Sequence, residues 1–206
     1  MGDPFIHNPI IATGIIFDMM GAPTGLKLES TGGILDFVSK GKFKRGINWA
    51  ESTVTITCHP RATGGVCNSI GSKIRGANYK SGAGFSLSMD NFPRGKYKLK
   101  LALSQHLTSN FTPTGSVSGS FGTLPDHQVL FPAVQASKSP GQESDIKQSK
   151  VVEVDVTVTS GETYVVVWNP TIAGGGKSTG SGTAIGKITV LSYVGPDGRV
   201  VKLATE

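Results

Sequence analysis

The sequence is poor in charge and in long apolar runs. Charged residues make up 17% and hydrophobic residues 37% of the 206 residues, both below the averages of globular chains. No heptad pattern rich in Ala, Leu, Glu and Lys is sustained, which excludes a coiled coil. The 28 glycines keep no period of three, which excludes a collagen-like helix. No segment of helix length is amphipathic. No basic stretch precedes an apolar run at the N-terminus, so the chain is expected to be made without a Sec signal or to be trimmed from a longer precursor. The apolar piece at 10–20 is too short for a bilayer and is broken by Thr13, Gly14 and Asp18. Position 6 is Ile where a myristoylation pattern needs Ser or Thr.

Cysteine is scarce. Cys58 and Cys67 flank a loop containing Pro60, Gly64 and Gly65. That loop could bring its ends together as a hairpin closed by a disulfide; two free thiols fit equally well. A zinc site needs four ligands, and only His59 lies near the pair. His7, His59, His106 and His127 form no H-E-x-x-H or other metal-spaced pair. His106 has no carboxylate partner in the sequence around it.

What is present is alternation. Short period-two runs bounded by Gly, Pro, Asn or Ser lie at 10–18, 25–29, 34–39, 52–58, 84–90, 95–104, 128–131, 151–159, 163–168, 183–193 and 199–203. The clearest join Tyr97, Leu99 and Leu101 on one side to Lys96, Lys98 and Lys100 on the other, the pattern of a strand with one wet face. Asn91-Phe92-Pro93-Arg94-Gly95 and Pro196-Asp197-Gly198 read as turns, and Ser160-Gly161-Glu162 reads as a tight hairpin connection. The polar stretch 136–150 reads as a surface excursion and the Gly/Ser-rich stretch 170–182 as a long loop. The expected fold is an all-β antiparallel sandwich at 46–206, with 1–45 an arm or additional strands.

Motifs for chemistry fail on context. Gly176-Lys177-Ser178 lacks the earlier glycine of a phosphate loop, since position 171 is Thr, and a strand follows it where that motif needs a helix. Ser144-Asp145-Ile146-Lys147 has the S-x-x-K spacing without its companion motifs, and Val117 stands where a nucleophile elbow needs Ser. The sequon Asn110-Phe111-Thr112 is expected to be silent without secretion. The net charge of +6 fits a solvated cationic surface or a polyanionic partner. No aromatic series accompanies the basic residues, so nucleic acid is not the expected partner.

The segment from Tyr79 to Leu101, with its Phe92-Pro93-Arg94-Gly95 turn before Tyr97, resembles the central hairpin of galactose-binding-like jelly rolls. That group contains malectin-like domains and many carbohydrate-binding modules. The run 151–168 around Ser160-Gly161-Glu162 resembles the late hairpin of the group, and 183–193 its closing strand. The resemblance implies ligand contact through an aromatic platform with neighbouring amides at a loop end. Here that means Asn48 with Trp49, Asn78 with Tyr79, and Trp168 with Asn169. Tyr164, Val166 and Trp168 also share one face of a strand and equally fit the core.

Residues and resemblance together lead to an expectation of a non-enzymatic structural or adhesion protein of a virus particle, a phage tail, fibre or capsid-surface component. Its partners would be other copies of itself, neighbouring virion proteins and cell-surface glycan, with no membrane insertion. Its place would be the virion, or outside the cell after assembly. The alternative is a carbohydrate-binding module or lectin associated with a secreted polysaccharide-acting enzyme. No cofactor is expected, a structural calcium ion being the open exception.

Overall fold

In the computed structural model the described residues are 15–19, 28–31, 35–45, 48–60, 66–69, 85–89, 92–123, 128–159, 164–174 and 179–203. They form thirteen strands and no helix: β1 (Ile15–Met19), β2 (Leu28–Thr31), β3 (Leu35–Arg45), β4 (Trp49–Pro60), β5 (Val66–Ser69), β6 (Phe85–Met89), β7 (Gly95–Ser109), β8 (Gly115–Thr123), β9 (Val129–Ser137), β10 (Asp145–Val158), β11 (Tyr164–Gly174), β12 (Gly180–Val194) and β13 (Val200–Lys202). Two antiparallel sheets result. One runs β10-β7-β12-β4-β3 with β13 on β12; the other runs β1-β6-β11-β5-β2 with β8 on β11 and β9 on β8. This is the all-β sandwich expected from the alternation. Strands β1, β2 and β3, all within 1–45, pair in these sheets.

Strand β7 shows why the layers form. Its odd residues Tyr97, Leu99, Leu101, Leu103, Gln105 and Leu107 are buried, while its even residues face water. Each fully buried leucine contributes about 2 kcal/mol of transfer free energy. Val154, Val156 and Val158 extend the same core from β10, and Ile188 and Val190 extend it from β12. A bulge between Val190 and Ser192 in the β12–β7 pairing shifts the alternation by one, so Tyr193 also turns inward.

Several connections differ from the sequence reading. β6 and β7 lie in different sheets, as do β10 and β11, so neither of the two expected hairpins forms. Each of these strand pairs is divided between the two sheets, because period-two patterning fixes a strand's faces and not its partner. The Pro196-Asp197-Gly198 turn does join a hairpin, β12–β13. Gly198 has φ 75°, and its N–H donates to the Gly195 carbonyl at 3.0 Å. The stretch 136–150, expected as a surface excursion, is the buried end of β9, a turn, and the first half of β10, which pairs residue by residue with β7. The Gly/Ser-rich stretch taken for a loop contains the end of β11 and the start of β12. Ile172 there is fully buried, and a Cβ at Gly182 would collide with Val117, Ile172 and Phe111, so small residues are required on the inner face. β8, another Gly/Ser strand, went unread for the same reason.

Candidate functional site

The outer face of the six-stranded sheet is built by lateral rows of side chains. One row runs Lys44 (β3), Glu51 (β4), Lys187 (β12), Ser104 (β7) and Ser149 (β10). The next runs Thr53, Ile185, His106 and Lys147 across the last four of these strands. Short Ser104 and Ser149 sit among the longer Glu51, Lys187, His106 and Lys147. The result is an open depression of about 300 Å³. It offers hydroxyls, a carboxylate, an imidazole and two ammonium groups, a mixture of donors and acceptors suited to a polar ligand.

Two contacts order this surface. His106 Nε2 meets Asp145 Oδ1 at 2.8 Å, which fixes the imidazole ring. The partner missing from the sequence reading therefore comes from the adjoining strand, where Asp145 opposite Thr108 reaches diagonally to His106. Thr108 Oγ1 approaches the same Nε2 at 3.4 Å. A hydrolytic relay needs nucleophile and carboxylate on opposite ring nitrogens, and this trio does not supply that. In the neighbouring row Lys187 Nζ stands 5.0 Å from the centre of the Trp49 ring, a cation–π contact. Thr55 and Thr183 hydroxyls pair at 2.9 Å further along the face.

The expected aromatic platforms fare differently. Trp49 is half-buried at the margin of this face, opposite Thr189. Trp168 is 0% exposed, a core residue whose ring lies against Gly186. Its Nε1–H donates to Gln105 Oε1 at 3.2 Å. No ligand can stack on it there, which corrects the platform reading for Trp168. Asn48 is likewise taken up by the framework: it is 3% exposed, its Nδ2 donates to the Val190 carbonyl at 3.0 Å, and its own carbonyl accepts from Val190 N–H. Asn78 and Tyr79 lie outside the described residues, as does the Asn169 side chain. Cys58 and Cys67 are on β4 and β5, which belong to different sheets, so the hairpin expected between them is absent; their side chains lie outside the described residues.

Sequence reading missed Glu51, Ser104, Lys147, Ser149 and Lys187, because each is an ordinary outward residue until the strand order brings them side by side. Among the described residues no three His, Cys, Asp or Glu gather as metal ligands, and no helix is long and apolar enough to cross a membrane.

No protein-family model matches the chain, and no curated protein matches it. Among the solved structures that overlap it are the following three. The enzymatically active domain of bacteriophage CBA120 tailspike protein 4 does so at 12% identity and TM-score 0.27, over 80% of this chain and 19% of that one. An arabinose-bound MgGH51 α-L-arabinofuranosidase does so at 10% identity and TM-score 0.24, over 81% of this chain and 24% of that one. The CBM22-1 xylan-binding domain of Paenibacillus barcinonensis Xyn10C does so at 7% identity and TM-score 0.24, over 92% of this chain and 95% of that one. This chain spans less than a quarter of the first two. At such scores the overlaps carry no weight for function.

Proposed function

We propose that the protein is a non-enzymatic binding protein that takes a glycan on the outer face of its six-stranded sheet. The observation that carries this reading is the depression itself. Ser104 and Ser149 hydroxyls, the Glu51 carboxylate, the His106 ring and two lysines converge on one open hollow, with the Trp49 indole beside Lys187 at its margin. Sugar hydroxyls both donate and accept, so a ligand recognised by such a mixture is a polyol. A glycan array probed with the purified chain tests it. Binding that disappears in Ser104→Tyr, which fills the hollow from an outward position, supports the reading; an array on which nothing binds overturns it.

The setting we infer is the surface of a virus particle, with further copies of the chain and virion neighbours as partners. Thin charge and the Gly/Ser composition of β8 support it. So does β10, a fourteen-residue edge strand that pairs only with β7 among the described residues. Such an edge is open to extension by a second chain. Light scattering over a dilution series decides: a closed oligomer that survives dilution supports the setting, and a monomer at all concentrations turns the reading to a free-standing glycan-binding module.

A further inference from the structure

Charge in this molecule is sorted by sheet. The strands of the six-stranded sheet carry eleven Lys or Arg against five Asp or Glu. The strands of the seven-stranded sheet carry no Lys or Arg, and their only carboxylates are Asp18 and Glu29. A general cationic coat would spread over both layers. Here the positive strand residues belong to the layer that bears the depression.

Within that layer Lys147 and Lys187 line the hollow on either side of the β7 residues Ser104 and His106. Glu51, the carboxylate in the hollow, stands in register between Lys44 and Lys187, and Asp145 is engaged by His106. Glu51 is thereby offset by neighbouring cations, and Asp145 is occupied by its contact with the His106 ring. Lys96, Lys98 and Lys100 continue the exposed row along β7, with Lys98 at 3.6 Å from Asp155. The face thus offers a run of cations interleaved with hydroxyls and, along β10, with the carboxylates Glu153 and Asp155 in register with Lys100 and Lys98.

We infer that the glycan is an anionic one, a polymer bearing carboxylate or sulfate groups. Lys147 and Lys187 would meet its charges, and Ser104 and Ser149 its hydroxyls. The inference rests on the glycan-binding reading above and narrows its substrate class. A nucleic acid is the less suited polyanion. It calls for a series of stacking rings, whereas Trp49, the aromatic described on this face, is covered by Lys187.

The test is calorimetric titration of the full chain with polygalacturonate, a neutral galactan of similar length, and a single-stranded oligonucleotide. Each is run at about 20 mM and about 500 mM NaCl, where screening lengths differ several-fold. The inference expects polygalacturonate to bind at low salt and to weaken at high salt. It expects the double variant Lys147→Gln/Lys187→Gln to weaken that binding by about tenfold. A second variant, Lys138→Gln/Arg199→Gln, makes the same change in net charge away from the hollow and should bind as the parent does. Thermal melts of both variants confirm that they fold. Equal losses in the two variants overturn the inference, as does an oligonucleotide bound as tightly as the polyuronate. A galactan bound as well as the polyuronate at either salt overturns it while leaving the glycan-binding reading intact. No binding of either polysaccharide overturns the inference, and the array then decides separately on the glycan-binding reading.

Discussion

Trp168 and Gln105 meet in the middle of the sandwich, indole N–H to amide oxygen at 3.2 Å, and each satisfies the polar atom that the other brings into the core. The amide nitrogen of Gln105 completes the set, donating to the Gly119 carbonyl at 3.2 Å and to Gln148 Oε1 at 2.8 Å. Gln105→Leu keeps the volume and removes the buried hydrogen bonds to the indole N–H and to the Gly119 carbonyl. The expected cost is about 3 kcal/mol, or a fall in Tm of roughly 10 °C, read by calorimetry. An unchanged Tm would show that the amide contributes nothing there.

Gly186 is predicted to tolerate no side chain. A Cβ at that position would sit inside the Trp168 ring, whereas one at Gly122 would make ordinary contact with the Gln128 carbonyl. Gly186→Ala should cost about 2 kcal/mol or more through overpacking, and Gly122→Ala should be close to neutral. Urea midpoints of the two variants make the comparison, and equal midpoints would contradict it.

Tyr193 gives a pH dependence of defined sign. Its hydroxyl is buried without a hydrogen-bond partner among the described residues. Its pKa is pushed up to about 12, first by burial and then by Tyr97 and Asp197. In the unfolded chain the phenol ionises near its ordinary value of 10.0, while the folded chain still holds the proton. Stability from this group is therefore intact below pH 10 and falls as pH rises toward 12. Tyr193→Phe removes the orphaned oxygen and should gain about 1 kcal/mol at neutral pH, while flattening the alkaline decline. A decline as steep as that of the parent would assign it to other groups; Tyr97, raised by burial and by Asp197, is the first of these.

The two tryptophans should respond oppositely to a quencher. Iodide should reach half-buried Trp49 and spare Trp168, which is fully buried. Trp49→Phe should leave a blue-shifted emission that iodide does not touch. Lys187→Gln, which removes the cation over the Trp49 ring, should make quenching by neutral acrylamide stronger. Residual quenching in Trp49→Phe would mean that the core around Trp168 opens.

Much of the layer structure was legible because alternation is a local signal: Lys96 to Leu101 and Val152 to Val158 announce their two faces directly. Strand partners were not legible, since the register of Thr55 with Thr183 joins residues 128 positions apart. The Gly/Ser strands were hidden for a physical reason. Gly119, Gly182 and Gly186 lack side chains because Gln105, Phe111 and Trp168 occupy that space, so strands central to the packing carry the composition of loops. The candidate site was hidden too. Its residues come from four strands, and Ser104 or Lys187 means little until β12 is known to lie beside β7 and β4.

That placement of β12 has a consequence for the order in which the molecule is made. β4 and β7 precede it by a long stretch of chain, yet each needs β12 to fill the gap between them. During synthesis both strands must wait with an unpaired edge until Gly180–Val194 has emerged. Contacts this distant in sequence close slowly, and exposed edges recruit other chains in the interval. A chain ending before β12 would keep most of its strands and have no finished six-stranded sheet. It should accumulate as aggregate, so that solubility during expression is decided once β12 has been translated.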